Sequence, residues 1–244
     1  MKRLFWSACL IALATASPAA EIGRQEVKAV LDRVLVNYAT VESRNYHVKL
    51  NCPELEASVQ AAFALMMPLP VTPNLMLVNS NGQHMVTINA DAYPEPLRDR
   101  IGKKVKQLAG PYIGFAEKST AREIDGFIRA VGNSAQFDVI KSDDATLDFE
   151  INEINEPFFG RTARSGRLKI DRKTGVLERV TFVLNDGKTM TMNLHHTPHD
   201  FTTDKQKAQL IDRVDVDHTA FLEGGMKLPQ KFSVLFENYE FSPK

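Results

Sequence analysis

Hydrophobic residues recur along the chain at two periods, and the change between them falls near residue 136. Before this point they return every three or four residues, the spacing that places side chains on one face of an α-helix. After it they alternate with polar residues, as in a β-strand with one buried face. The pattern therefore predicts mostly helices in the first part of the chain and a sheet in the second.

Three amphipathic helices are predicted, over residues 22–41, 95–109 and 121–131. The first has one apolar stripe, formed by Val27, Val30, Leu31, Val34, Leu35 and Tyr38. We expect Gly110-Pro111 to end the second, because proline cannot donate the backbone hydrogen bond that a helix interior needs. Thr120 and Glu123 form a capping box at the start of the third.

The second predicted helix has one basic face. Its apolar side holds Leu97, Ile101, Val105 and Leu108, and its other side holds Arg98, Arg100, Lys103, Lys104 and Lys106. Such a face is typical of the solvated side of a packed helix, and also of a helix that lies on an anionic membrane. We favour the solvated side here.

Shorter β elements are predicted among the helices. Tyr46–Leu50 alternates and is predicted to be a strand. Leu75–Val78 and His84–Ile88 are predicted to form a hairpin around residues 79–82, because Asn-Gly is a strong signal for a tight turn. Residues 55–67 fit the helical and the strand spacing equally well, so both structures stay open there.

The second part of the chain contains six clearly alternating segments, which are Leu147–Ile151, Leu168–Ile170, Val180–Leu184, Met190–Leu194, Val214–Val216 and Phe232–Phe236. Consecutive strands with short turns pair antiparallel, because parallel pairs need long crossovers. Residues 197–207 are expected to be a long polar loop. With no strands left for a second sheet, helices must cover the apolar face. The predicted fold class is α+β: one strongly curved antiparallel sheet with amphipathic helices packed in its concave face.

Residues 1–20 are predicted to be a signal peptide. Lys2 and Arg3 precede the apolar run Leu4–Leu13, which is too short to span a bilayer, and cleavage after Ala16, Ala19 or Ala20 fits the small residues that follow. A buried N-terminal helix is the alternative. Cleavage would leave residues 21–244 as a single domain, and we expect it in a bacterial periplasm. No second apolar run is long enough to span a bilayer, so we do not expect an integral membrane protein.

Charge and cysteine content narrow the function further. The chain has 30 basic and 30 acidic residues, and loss of Lys2 and Arg3 would leave 28 basic against 30 acidic. This balance argues against a nucleic-acid partner. Two cysteines exclude a zinc site built from several thiolates. Cys9 lies in the predicted signal peptide, so Cys52 would be the single cysteine of the exported chain, where a buried and inert thiol is expected.

Candidate metal ligands occur together at one place, with the sequence His195-His196-Thr197-Pro198-His199-Asp200. Adjacent histidines on a strand point to opposite faces, so only one of the first two could join His199. We favour a solvated strand end and predict no metal and no cofactor. His84 and His218 stand alone. Without a G-x-S-x-G, P-loop or GxGxxG motif, we expect a binding protein and no enzyme.

The remaining candidate site is apolar. Strand alternation predicts that seven side chains face the helices and line a ligand site, namely Phe149, Ile151, Phe182, Leu184, Met190, Met192 and Phe232. Methionine adapts to irregular or flexible ligands, because its side chain is unbranched. Ordinary packing in a core would use the same residues. We therefore predict an interior that can bind a hydrophobic ligand.

The order of these elements resembles the LolA-like superfamily of periplasmic lipoprotein carriers and outer-membrane lipoprotein-sorting proteins. Four segments carry the resemblance: VLDRVLVNYATVES, PNLMLVNSNGQHMVTI, QFDVIKSDDATLDFEI and RLKIDRKTGVLERVTFVLNDGKTMTMNL. It implies an unclosed β-barrel covered by helices, and a carrier that shields lipoprotein acyl chains between the inner and the outer membrane. The implied partners are acyl chains or another lipid, and a protein of the cell envelope.

The chain departs from this family at one place. Its carriers typically have an Arg-Pro pair whose arginine ties the sheet to the helices, but the matching segment here is Met66-Met67-Pro68-Leu69-Pro70. The resemblance therefore supports the fold better than the transport cycle. Besides the carrier, two hypotheses stay open: a non-transporting binding or sensor domain of the envelope and, more remotely, a histidine-based metal-binding protein.

Overall fold

The computed structural model describes residues 18–64, 73–89, 95, 98–118, 124, 128–129, 137–152, 157–158, 161–201, 205–219, 222–223, 226–227 and 229–242. Helices within these ranges are α1 (Pro18–Glu42), α2 (Pro53–Phe63) and α3 (Arg98–Lys118). The strands are β1 (Tyr46–Asn51), β2 (Leu75–Ser80), β3 (Gln83–Ile88), β4 (Phe137–Ser142), β5 (Thr146–Asn152), β6 (Pro157–Phe158), β7 (Arg161–Asp171), β8 (Val176–Leu184), β9 (Thr189–Asp200), β10 (Lys207–His218), β11 (Leu222–Glu223), β12 (Met226–Lys227) and β13 (Lys231–Phe241).

One large antiparallel sheet dominates the described residues. Its strand order is β3-β2-β1-β13-β10-β9-β8-β7-β5-β4, while β6 pairs with β7 and the short strands β11 and β12 pair with each other. β3 and β4 lie at the two edges, and in the described part of the chain no pairing joins them. The predicted α+β class, with an unclosed sheet and helices packed against it, is confirmed.

The two faces of the sheet differ in polarity. Alternate residues are buried along β5, β9 and β13, as the period of two predicts. We call the buried side, which faces the helices, the inner face, and it forms a continuous hydrophobic core with them. The outer face carries cross-strand polar pairs, such as the two bonds from Arg167 to Asp148 at 2.8 and 2.7 Å.

Polar contacts fix α1 on the sheet, where it crosses β8 and β10. Asn37 Nδ2 donates to the Gln209 carbonyl at 3.2 Å, and the Gln209 N–H donates back to Asn37 Oδ1 at 2.8 Å. Nearer the start of the helix, Arg172 Nη1 lies 2.7 Å from Glu26 Oε1. Both contacts join residues far apart in sequence, so they hold the helix in one position over the strands.

The predicted end of the second helix at Gly110-Pro111 is wrong. The observed helix begins at Arg98 and continues through Pro111 to Lys118. Its apolar spacing goes on through Tyr112 and Phe115, which are both buried. Burying an aromatic side chain contributes about 2 to 3 kcal/mol, so the two together contribute about 4 to 6 kcal/mol, which exceeds the roughly 3 kcal/mol that a proline costs inside a helix. Packing therefore overrides the local stop signal.

The structure decides two predictions: whether residues 55–67 are a helix or a strand, and how long the turn near residues 79–82 is. Residues 53–63 are a helix, because Leu55, Val59 and Phe63 share one buried face. Residues 65–67 lie outside the described residues. The hairpin turn has two residues instead of four, with φ of 52° at Asn81 and 75° at Gly82. Positive φ at both positions is the form that Asn-Gly favours in tight hairpins.

The predicted polar loop over residues 197–207 is partly wrong, because β9 continues to Asp200 and pairs with β10. β9 can hold Pro198 because this residue lies beyond the part of β9 that pairs with β8, which runs from Thr189 to Asn193. On that side the missing N–H of the proline leaves no partner strand without a hydrogen bond. Only residues 201–206 connect the two strands. The strand pair is therefore longer than the alternating pattern indicates.

Two sequence predictions concern residues that are mostly outside the description. Of the signal peptide, residues 1–17 lie outside, and α1 begins at Pro18. Of the predicted helix 121–131, the structure describes Ile124, Ile128 and Arg129, which are helical. Both isoleucines are buried, as the predicted stripe requires. No helix in the described part of the chain has the length and apolar character to cross a bilayer.

Candidate functional site

The seven residues predicted to line an apolar site all lie on the inner face of the sheet. They occupy β5, β8, β9 and β13, and none is more than 6% exposed: Phe149, Ile151, Phe182, Leu184, Met190, Met192 and Phe232. Phe182 lies opposite Met190 in the strand register. The structure thus brings these residues onto one apolar surface beneath the helices.

Helix α3 covers the β13 side of this surface through aromatic contacts. The rings of Tyr112 and Phe115 approach Phe232 edge-on, with ring centroids 5.5 and 5.1 Å apart. Edge-on packing is favourable but it uses only apolar ring surface.

A part-buried polar pair lies where α1 crosses β9. The Tyr38 hydroxyl is 3.1 Å from His196 Nε2. Burial, with a smaller contribution from the neighbouring His195, lowers the pKa of His196 to about 4, although the charge of Asp212 acts in the opposite direction. The imidazole is therefore neutral at pH 7. Burial also raises the pKa of Tyr38, so the pair remains uncharged and joins the helix to the sheet.

His195 faces the outer side of the sheet and belongs to a different polar cluster. Its Nε2 lies 2.9 Å from Asp215 Oδ2, and Asp215 Oδ1 accepts bonds from Ser233 Oγ and Arg213 Nε at 2.7 and 2.6 Å. A groove of about 380 Å³ adjoins this cluster. The carboxylate lies between the serine and the histidine, so the imidazole does not contact the hydroxyl as nucleophilic catalysis requires.

The other members of the predicted histidine cluster have separate partners. His199 packs its ring against Phe201 and Phe241, with centroids 4.7 and 5.0 Å apart. Asp200 lies 3.4 Å from Lys207 Nζ. Within the described ranges, no group of three or more His, Cys, Asp or Glu side chains is placed to hold a metal ion. The geometry here gives the metal-binding hypothesis no support.

Sequence reasoning missed a contact between α1 and the β2–β3 hairpin. His84, which stands alone in the sequence, is 7% exposed, and its Nε2 lies 3.1 Å from Glu42 Oε1 and 3.4 Å from the Tyr46 hydroxyl. Burial, then Tyr239 and Glu42, raise the pKa of Tyr46. A groove of about 590 Å³ opens beside Glu42. These residues belong to three different elements, so no spacing in the sequence could reveal the contact.

Comparison with known proteins gives few matches. No protein-family model matches the chain, and no curated protein matches its sequence. Solved structures that match include a domain described as an outer membrane lipoprotein-sorting protein domain, from Vibrio parahaemolyticus. The identity is 9% and the TM-score 0.31, over 70% of this chain and 61% of that domain. The chain thus spans less than two thirds of that domain's length.

A second solved structure covers more of the chain. It is a LolA superfamily protein from Nitrosomonas europaea, with 8% sequence identity and a TM-score of 0.38, over 89% of this chain and 94% of that protein. The superfamily named for this structure is the one that the sequence resembles.

Proposed function

We propose that the protein is an exported carrier that holds lipoprotein acyl chains, or another lipid, between the inner face of the sheet and the helices. The observation that carries this proposal is the continuous apolar surface from β5 to β13, which amphipathic helices cover instead of a second sheet. Each CH₂ group that is buried contributes about 0.8 kcal/mol, so an acyl chain needs such cover to cross water. The role is binding and transport, with no catalytic step.

The helices differ in how they would respond to a ligand. Asn37 and Glu26 tie α1 to the sheet by hydrogen bonds and an ion pair, and breaking these would leave polar groups unpaired. Aromatic rings hold α3 against Phe232. We infer that α3 moves when a lipid enters, while α1 stays in place. Met190 and Met192 lie on β9, which β10 separates from β13, and they supply adaptable surface on the same inner face.

The predicted signal peptide supports export, and the proposed site of action is the bacterial periplasm. There the carrier would meet both lipid and envelope proteins.

A second candidate is a non-transporting binding or sensor domain of the envelope. Phe149, Ile151 and Phe182 are 0% exposed with the helices in place, and a filled interior is stable without a ligand. In this case the partner is a protein of the envelope and the apolar surface serves as a core.

Native mass spectrometry of the protein purified from the periplasm distinguishes the two. A carrier should show lipid adducts that delipidation removes and that an acyl-chain probe restores. Met192→Trp should lower the occupancy, because it fills the inner face. Thr191→Trp is the matched control, since its side chain lies on the outer face. Repeated absence of lipid, together with no uptake of the probe, would leave the sensor domain as the function.

A further inference from the structure

Three lysines on helix α3 have no carboxylate partner among the described residues. Lys103, Lys104 and Lys106 are exposed, and we call them the α3 lysines. Lys104 Nζ lies 3.3 Å from the neutral amide oxygen of Gln107. Within the described structure none of the three forms an ion pair with a carboxylate.

Basic side chains on the sheet behave differently. Arg167, Lys169, Arg213 and Lys231 each lie within 2.5 to 3.1 Å of a carboxylate oxygen on the outer face. The chain as a whole has equal numbers of basic and acidic residues. The charge on the sheet is thus compensated by local ion pairs, whereas the α3 lysines form no ion pair with a described carboxylate and leave a net positive surface.

The helix geometry directs this surface away from the protein. Ile101, Val105 and Ala109 are at most 1% exposed and face the core. Successive residues of a helix are about 100° apart, so Lys103 points almost directly away from Ile101 and Val105. Lys106 and Lys104 lie on either side of it. The three cations are therefore spread around the outward-facing side of the helix, with Lys103 at its centre.

We propose that the α3 lysines dock the protein onto the surface of an anionic lipid bilayer. The other exposed positions near Lys103 are Asp99, Arg100, Gln107 and Gly110, so the surface offers no apolar side chain to bury and its basic residues outnumber the one acidic residue. Protein–protein interfaces have cores enriched in aromatic residues and depleted of lysine, which this surface does not match. Anionic headgroups need only charge. The contact is peripheral and electrostatic, and it does not require that the protein carries a lipid.

Flotation with vesicles tests the proposal, using the exported full chain. The vesicles contain phosphatidylcholine with or without phosphatidylglycerol, at 50 and 500 mM NaCl. We expect binding to the anionic vesicles at low salt only, because salt screens charges at exposed sites. A triple variant, Lys103→Gln with Lys104→Gln and Lys106→Gln, should bind about 100-fold more weakly, or roughly five-fold for each lysine, which corresponds to about 1 kcal/mol per basic residue.

A second triple variant controls for net charge. Lys28, Lys173 and Lys205 are exposed on other parts of the molecule, and their exchange for Gln removes the same charge. It should keep binding within about two-fold. Equal loss in both variants would overturn the assignment to α3. Binding to poly-glutamate without binding to anionic vesicles would also overturn it and point to an acidic protein. Unchanged melting curves would show that both variants are folded.

Discussion

Single buried polar residues make the fold sensitive to acid. The pKa of His196 lies at about 4 in the folded protein because of burial, whereas a histidine in an unfolded chain titrates near 6.5. Between these values the unfolded chain binds a proton that the folded protein does not bind. The contribution of the neutral His196 to the free energy of unfolding is therefore fully present above pH 6.5, and it is lost as the pH falls toward 4.

The free energy of unfolding in urea should fall by roughly 2 kcal/mol between pH 7 and pH 4.5, at 1.36 kcal/mol per pKa unit. His196→Gln should remove most of this loss, since an amide can still bond Tyr38 but does not titrate. His218, whose pKa burial also lowers, should account for what remains. The carboxylate of Asp143, with a pKa of about 2 because of Lys141, acts only at lower pH.

The control for this experiment is His195→Gln, which changes the neighbouring residue on the outer face. It should leave the loss between pH 7 and pH 4.5 in place. A loss that is the same in wild type and His196→Gln would show that the Tyr38–His196 pair does not carry the acid sensitivity.

The thiol of Cys52 should react very slowly with thiol reagents in the folded protein. The thiol is 3% exposed, and burial, with a smaller contribution from Glu54, raises its pKa to about 12. Because the thiolate is the reactive form, a disulfide reagent at pH 8 should react about a thousand-fold faster in urea than in the native state. Cys9→Ser removes the other thiol. Adding Cys52→Ala and Ser58→Cys, which places a thiol at an exposed position of α2, should restore rapid native reaction.

At the scale of elements, the position of α1 on the sheet depends on close approach at the β7–β8 turn. Gly175 has φ of 68°, and a Cβ at this position would lie 3.3 Å from Arg33 Cβ. Gly187, in the β8–β9 turn, has φ of 78° with nothing within 4 Å of its Cβ position. Both conformations favour glycine, but only Gly175 also makes room for the helix.

Gly187→Ala should therefore lower the free energy of unfolding by about 1 kcal/mol, the cost of a left-handed residue with a side chain. Gly175→Ala should cost about 2 kcal/mol, because α1 must also shift. Urea unfolding of both variants measures the difference. Equal losses would mean that α1 yields freely at this contact.

The sequence predicts elements well where the residues of one segment decide the outcome. Alternation along β5 or β13 places Phe149 and Phe232 on the inner face, because a strand has only two faces. The end of α3 and the length of β9 were not predictable in this way. Pro111 stays in a helix because the rings of Tyr112 and Phe115 pack against Phe232, which lies in a segment far away in the sequence.

The same reason limits prediction of the candidate site. The seven apolar residues follow from local alternation, and the structure places all of them on one surface. The Tyr38–His196 pair joins residues 158 positions apart, and the contact of Glu42 with His84 joins a helix to a hairpin. Only the assembled sheet brings such residues together, so neither their burial nor the lowered pKa of His196 could be read from the sequence.

At the scale of the whole molecule, the described residues form three surfaces of different charge, although the chain has equal numbers of acidic and basic residues. The inner face is apolar, the outer face has acidic and basic side chains in cross-strand pairs, and α3 carries unpaired lysines. The proposed lipid binding would use the inner face, and the proposed membrane docking would use α3. Neither property is visible in the net charge of zero.

The position of β13 in the strand order has a consequence for the time course of folding. β1 joins the rest of the sheet through β13, and the contacting side chains of His47 and Glu240 are 193 residues apart. The three strands β1 to β3 therefore keep the β1 edge unpaired during folding until residues 231–241 form β13. Contacts of such long sequence separation slow folding, and waiting edges invite aggregation. A chain ending at residue 230 should consequently aggregate on size-exclusion chromatography, since the sheet would lack the strand that unites its two parts.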